Sequence, residues 1–73
     1  MKAMGLHSGA PDLALYVSAS GKNGLFIEMK SPTGRVTPAQ RLTHDALKQQ
    51  NYEVAVCRTF DQFKQVIEGY LSS

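Results

Sequence analysis

The chain has 73 residues, 42% hydrophobic and 19% charged, which excludes a disordered tail and leaves room for one small domain. Eight Lys and Arg against six Asp and Glu give a net charge of +2, which permits nucleic-acid binding but is no basic tail. So short a chain seldom draws more than about 3–5 kcal/mol of net stability from its core. With Cys57 as its one cysteine it has no disulfide to add, so a partner subunit or a bound metal is expected.

The opening stretch from Met1 to His7 lacks the apolar run of a signal peptide, and no segment is long enough to span a membrane. Leu13 to Val17 is a short apolar run entered through Pro11, and reads as the first strand. Ser18 to Gly24 is a loop of turn residues, and Leu25 to Lys30 resumes the apolar pattern, so the two runs predict a hairpin. Ser31-Pro32-Thr33-Gly34 suits a type I turn that ends the pairing.

Thr37-Pro38-Ala39-Gln40 combines an N-cap hydroxyl, a proline at the first helical position and a glutamine three residues after the cap, so a helix starts at Pro38. Ala39, Leu42, Thr43, Ala46 and Leu47 are its expected packing face, and it ends near Gln50 or Asn51. Tyr52 to Cys57 is a buried third strand, with Cys57 a small hydrophobe suited to a reducing, cytoplasmic setting. Thr59 to Gln62 repeats the capping box before a second helix whose stripe is Phe63, Val66, Ile67, Tyr70 and Leu71. The predicted fold is α/β: a small mixed sheet, made of an antiparallel hairpin and one strand added parallel through a helical crossover, with two helices. Residues 1–73 form a single domain whose sheet edges are poorly covered, and a homodimer fits that best.

Alternation along the second strand puts Phe26, Glu28 and Lys30 on one face and Leu25, Ile27 and Met29 on the other. A hairpin centred near Gly21 places Asp12 opposite Lys30 and diagonal to Glu28, whereas a one-residue slip would send it to the other face. Two such carboxylates repel unless a cation lies between them, and oxygen-only ligation suits Mg²⁺ or Mn²⁺, with the Met29 carbonyl as a further ligand. That ion would polarise a phosphodiester and acidify an attacking water, with Lys30 orienting the water and stabilising charge. Gln40 is either the capping-box partner, a hydrogen-bonding group for that water or a phosphate, or both.

The residues Gly9-Ala10-Pro11-Asp12, Phe26-Ile27-Glu28-Met29-Lys30, Gly34-Arg35 and Gln40 together resemble the VRR-NUC domain of the PD-(D/E)xK nuclease superfamily, from about Gly5 to Leu71. The resemblance implies a minimal restriction-endonuclease-like core and a metal-dependent DNA endonuclease. Asp12 and Glu28 would be Mg²⁺ or Mn²⁺ ligands and Lys30 the catalytic lysine. It further implies a homodimer acting on branched DNA such as four-way junctions, in the cytoplasm of a phage-infected or bacterial cell. Family members usually begin with a further helix. This chain starts just before the Gly-x-Pro-Asp motif, as a minimal version or a fragment.

Taken singly, the same residues have plainer readings: a strand-entry aspartate for Asp12, and a cross-strand ion pair for Glu28 and Lys30. Arg35 and Arg41 are the candidate phosphate contacts, Lys22 and Lys48 are read as solvated charge, and His7 and His44 are assigned no role. Tyr52, Tyr70, Phe60 and Phe63 are read as packing or a dimer seam rather than base-stacking platforms. The alternatives to an enzyme are a non-catalytic DNA-binding or assembly module that keeps the fold, and a structural dimer without nucleic-acid affinity.

Overall fold

The computed structural model describes residues 10–72; Gly9 of the acidic motif and His7 lie outside them. Five elements follow in order: β1 (Leu13–Leu15), β2 (Leu25–Met29), α1 (Pro38–Gln49), β3 (Glu53–Cys57) and α2 (Phe60–Leu71). The three strands form one sheet in the order β1-β2-β3, with β1 antiparallel and β3 parallel to the central strand, as the sequence predicts.

The hairpin is tighter than its composition suggests. Ser20 and Gly21 both have positive φ, 54° and 74°, and Ala19 and Lys22 exchange two backbone hydrogen bonds of 3.2 and 2.8 Å around them. Such a two-residue turn matches the twist of the strands it joins. Ser20 is the unexpected member, since non-glycine residues seldom adopt this conformation; its hydroxyl donates to the Tyr70 carbonyl at 2.8 Å. Between the turn and the ladder, residues 16–18 stand against only residues 23 and 24, so the first arm bulges and β1 ends at Leu15, not Val17.

The register changes accordingly. Leu13 pairs with Ile27 and Leu15 with Leu25, which brings Asp12 level with Glu28 instead of opposite Lys30. The earlier turn and the bulge each move the pairing by one step. Their sum is even, so Asp12 keeps the face expected of it.

One face of the sheet is apolar. Leu25, Ile27 and Cys57 are buried with Tyr70 of α2, and Phe63, Val66 and Ile67 pack against them. Full burial of one such aliphatic side chain contributes about 1.5–3 kcal/mol. The Tyr70 hydroxyl reaches across to donate to the Val17 carbonyl at 2.5 Å, fixing α2 to the bulged arm. Leu71, assigned to the same stripe, is 49% exposed. Phe60 is also exposed, stacked on Phe63 with the Lys64 amine over its ring, so it belongs to the surface and not to the core.

α1 covers the opposite face. Its capping box is complete: the Thr37 hydroxyl accepts from the Gln40 N–H at 3.1 Å, and the Gln40 side chain accepts from the Thr37 N–H at 2.9 Å. The helix stops at Gln50 because Asn51 turns left-handed (φ 66°) and the Tyr52 N–H returns to the Leu47 carbonyl at 3.1 Å. The buried residues of α1 are Gln40, His44 and Leu47, whereas Leu42, expected on the packing face, is 72% exposed and Ala39 is exposed too. The inward face is rotated toward polar residues because what lies beneath it is Glu28. In α2 only half of the second capping box forms: Thr59 caps Gln62, but the Gln62 side chain accepts from the Arg58 N–H at 2.7 Å. Among the described residues no helix is long and apolar enough to cross a membrane.

Candidate active site

Glu28 is the fourth of the five residues of β2 and points away from the apolar core, yet it is 3% exposed because α1 lies over it. Its Oε2 accepts a 3.2 Å hydrogen bond from Gln40 Nε2. The direction of that amide is set at its other end, since Gln40 Oε1 is already taken by the Thr37 N–H. The capping box predicted from the sequence therefore does two things: it starts α1, and it turns a donor toward the buried carboxylate.

Four residues further along α1, on the same helical face, His44 Nε2 lies 3.6 Å from Glu28 Oε1. Both atoms are buried and neither has another hydrogen-bond partner. A buried polar atom left unpaired costs about 1–3 kcal/mol, so such a pair marks a place on this face where packing alone is not the organising force. The sequence alone assigns His44 no role. Its signal was the line Gln40, His44, Leu47 at intervals of four and three, which a count of apolar residues alone passes over.

Asp12 arrives from the edge strand. It is exposed, and its Oδ2 accepts a 2.8 Å hydrogen bond from the Met29 N–H, which ties the segment ahead of β1 to the end of β2. Lys30 follows β2 directly, half-buried, and its N–H donates to the Cys57 carbonyl at 2.9 Å. The Glu28 carboxyl is held above its ordinary value near 4.5, first by burial and then by the negative charge of Asp12, against the opposing pull of His44 and Lys30. Asp12, Glu28, Lys30 and Gln40 thus come together at one end of the sheet, with the Met29 backbone between the two acids.

Arg35 and Arg41 are exposed, Arg35 just past the turn after Lys30 and Arg41 in the first turn of α1. Nothing in the sequence singles out Arg58. Its Nη1 donates to the carbonyls of Ser31 at 2.9 Å and Gly34 at 2.5 Å, bracing the turn closed by the Gly34 N–H on Ser31 O at 3.1 Å. No spacing rule links an arginine at the end of one strand to the loop after its neighbour.

Among the described residues no group of three or more His, Cys, Asp and Glu side chains assembles around a common point. A pair of carboxylates is nevertheless the usual protein share of a Mg²⁺ site, because that ion keeps several of its waters. The donors here are hard oxygens, and the partnerless Glu28 Oε1 beside a like-charged neighbour is what such a pair presents before a cation joins it.

A mixed three-stranded sheet that brings Asp12 from its edge to Glu28 and Lys30 at the end of its central strand is the frame of a small α/β domain. The family model described as "VRR-NUC domain" matches residues 1–61, and the chain belongs to the VRR-NUC family. A solved "VRR_NUC domain protein" is similar at 32% identity with a TM-score of 0.87, over 97% of this chain and 59% of that one. The chain therefore spans about three-fifths of the length of that solved protein. No curated protein matches it.

Proposed function

We propose that the protein is a Mg²⁺- or Mn²⁺-dependent DNA endonuclease that hydrolyses phosphodiester bonds, selective for branched DNA such as four-way junctions and acting as a homodimer. The observation that carries this reading is that Asp12 is brought level with Glu28 on one face of the hairpin, with Lys30 two residues beyond Glu28, just past the end of β2. Asp12 and Glu28 would hold the ion, with the Met29 carbonyl as a third ligand. When bound, such an ion supplies neutralisation of charge at the scissile phosphate and acidification of a water.

The remaining work falls to the chain itself. Lys30 would orient the attacking water and stabilise negative charge building on the phosphate. Gln40 holds the Glu28 carboxylate in place through Nε2. Arg35 and Arg41, exposed on either side of the turn into α1, would take the DNA backbone. The exposed Leu13 of β1, with Tyr16 and Val17 in the bulged arm beyond it, supports a second copy as the partner that covers this edge.

The test is incubation with a labelled four-way junction, with and without Mn²⁺, beside Lys30→Ala. Cleavage that requires the metal and disappears in Lys30→Ala is the expected result. Salt-sensitive binding without cleavage under any condition would overturn the enzyme and leave a DNA-binding module.

A further inference from the structure

We infer that His44 is a positioning residue for Glu28: it donates Nε2–H to Oε1 and, with Gln40 on Oε2, clamps the carboxylate in the orientation that meets Asp12. This rests on reading Glu28 as a ligand in the proposed site. The Nε2 to Oε1 separation is 3.6 Å, a little beyond an ordinary hydrogen bond, and a shift of a few tenths of an ångström closes it. Neither buried atom has another hydrogen-bond partner among the described residues, and a carboxylate oxygen that accepts one hydrogen bond keeps a lone pair for a cation. An imidazole used only to fill space would be a poor choice there, because burying it unpaired is unfavourable where an apolar side chain would not be.

The geometry of the clamp follows from α1. Gln40 and His44 are one helical turn apart, so the two donors come from a single rigid element and reach the two oxygens of one carboxylate. A carboxylate held by one oxygen can still rotate about its terminal bond; held by both, it cannot. Partners of this kind, which orient a ligand without touching the metal, typically change affinity by about 10–100-fold when removed.

The experiment measures Mn²⁺ affinity calorimetrically on the full chain, comparing the unmodified protein with His44→Leu and His44→Gln, with the fold checked by circular dichroism. His44→Leu, which fills the space without a donor, is expected to weaken Mn²⁺ binding about 10-fold or more. His44→Gln, which returns an N–H at the same reach, is expected to recover most of it. Equal binding by His44→Leu and the unmodified protein would overturn the role of His44 alone. If the unmodified protein binds no Mn²⁺, the metal reading of the site falls and this inference with it. Should His44→Leu fail to fold, nitrogen-15 spectra of the unmodified imidazole decide. A hydrogen on Nε2 is expected, and a bare Nε2 would overturn the proposal, because two acceptors would then face each other.

Discussion

The two faces of the sheet are built on opposite principles from alternating residues of a single strand. Leu25 and Ile27 of β2 face α2 and disappear into an apolar core with Cys57 and Tyr70, whose hydroxyl is bonded at the rim to the Val17 carbonyl. Phe26 and Glu28, the residues between and beyond them, face α1, and there the buried set is an acid, an amide and an imidazole beside Leu47. The first face accounts for the existence of the fold. The second spends part of that stability on holding a carboxylate out of water, as its raised proton affinity records. In so small a domain the site is affordable only because the other face is uncompromised.

Three substitutions test this division. The largest effect is expected for Leu25→Ala on the apolar face: about 2–5 kcal/mol lost, read as a lower urea midpoint with unchanged slope. A loss below about 1 kcal/mol would mean that the two faces are not energetic unequals after all.

Glu28→Gln acts on the other face, with a smaller effect on stability and of opposite sign. A carboxyl whose native pKa lies above the unfolded value binds its proton more tightly when folded. Stability is therefore lost as pH rises from about 4.5 through the higher native value. The glutamine variant should lack that decline, be no less stable at neutral pH, and lose the proposed cleavage by about 100-fold or more. A pH profile of unfolding identical to that of the unmodified protein would show that the buried acid carries no such cost.

The smallest expected effect is that of Thr37→Ala, about 1 kcal/mol from the lost cap. The N–H that orients Gln40 belongs to the backbone and survives this change, so cleavage at saturating metal should be retained. Cleavage lost together with stability would show that the site depends on the Thr37 hydroxyl as well as on its N–H.

The parts legible in the sequence are those fixed by neighbours in the chain. Thr37, Pro38 and Gln40 give the start of α1 to the residue, and Ser31 to Gly34 form the expected turn. The register was not legible, because it depends on a serine adopting a left-handed turn and on an unpaired residue in the first arm, and neither leaves a compositional mark. The inward face of α1 was misplaced for a different reason. Periodicity assumes that buried means apolar, and here the surface to be covered is an acid, so Gln40 and His44 turn inward and Leu42 turns out. The acids meet on the expected face because the two errors in register cancel in parity, which alternation along a strand makes the only distinction that matters.

The Arg58 guanidinium, gripping the Ser31 and Gly34 carbonyls from the end of the neighbouring strand, has a consequence for how this chain tolerates change in length. The connection leaving β2 is pinned on both sides, by Lys30 N–H on Cys57 O before it and by the guanidinium within it. A residue inserted between Ser31 and Gly34 cannot be absorbed as slack, as surface connections commonly allow. It would detach the bracket and displace Lys30, so the length of this connection is fixed by the same contacts that set the end of β2.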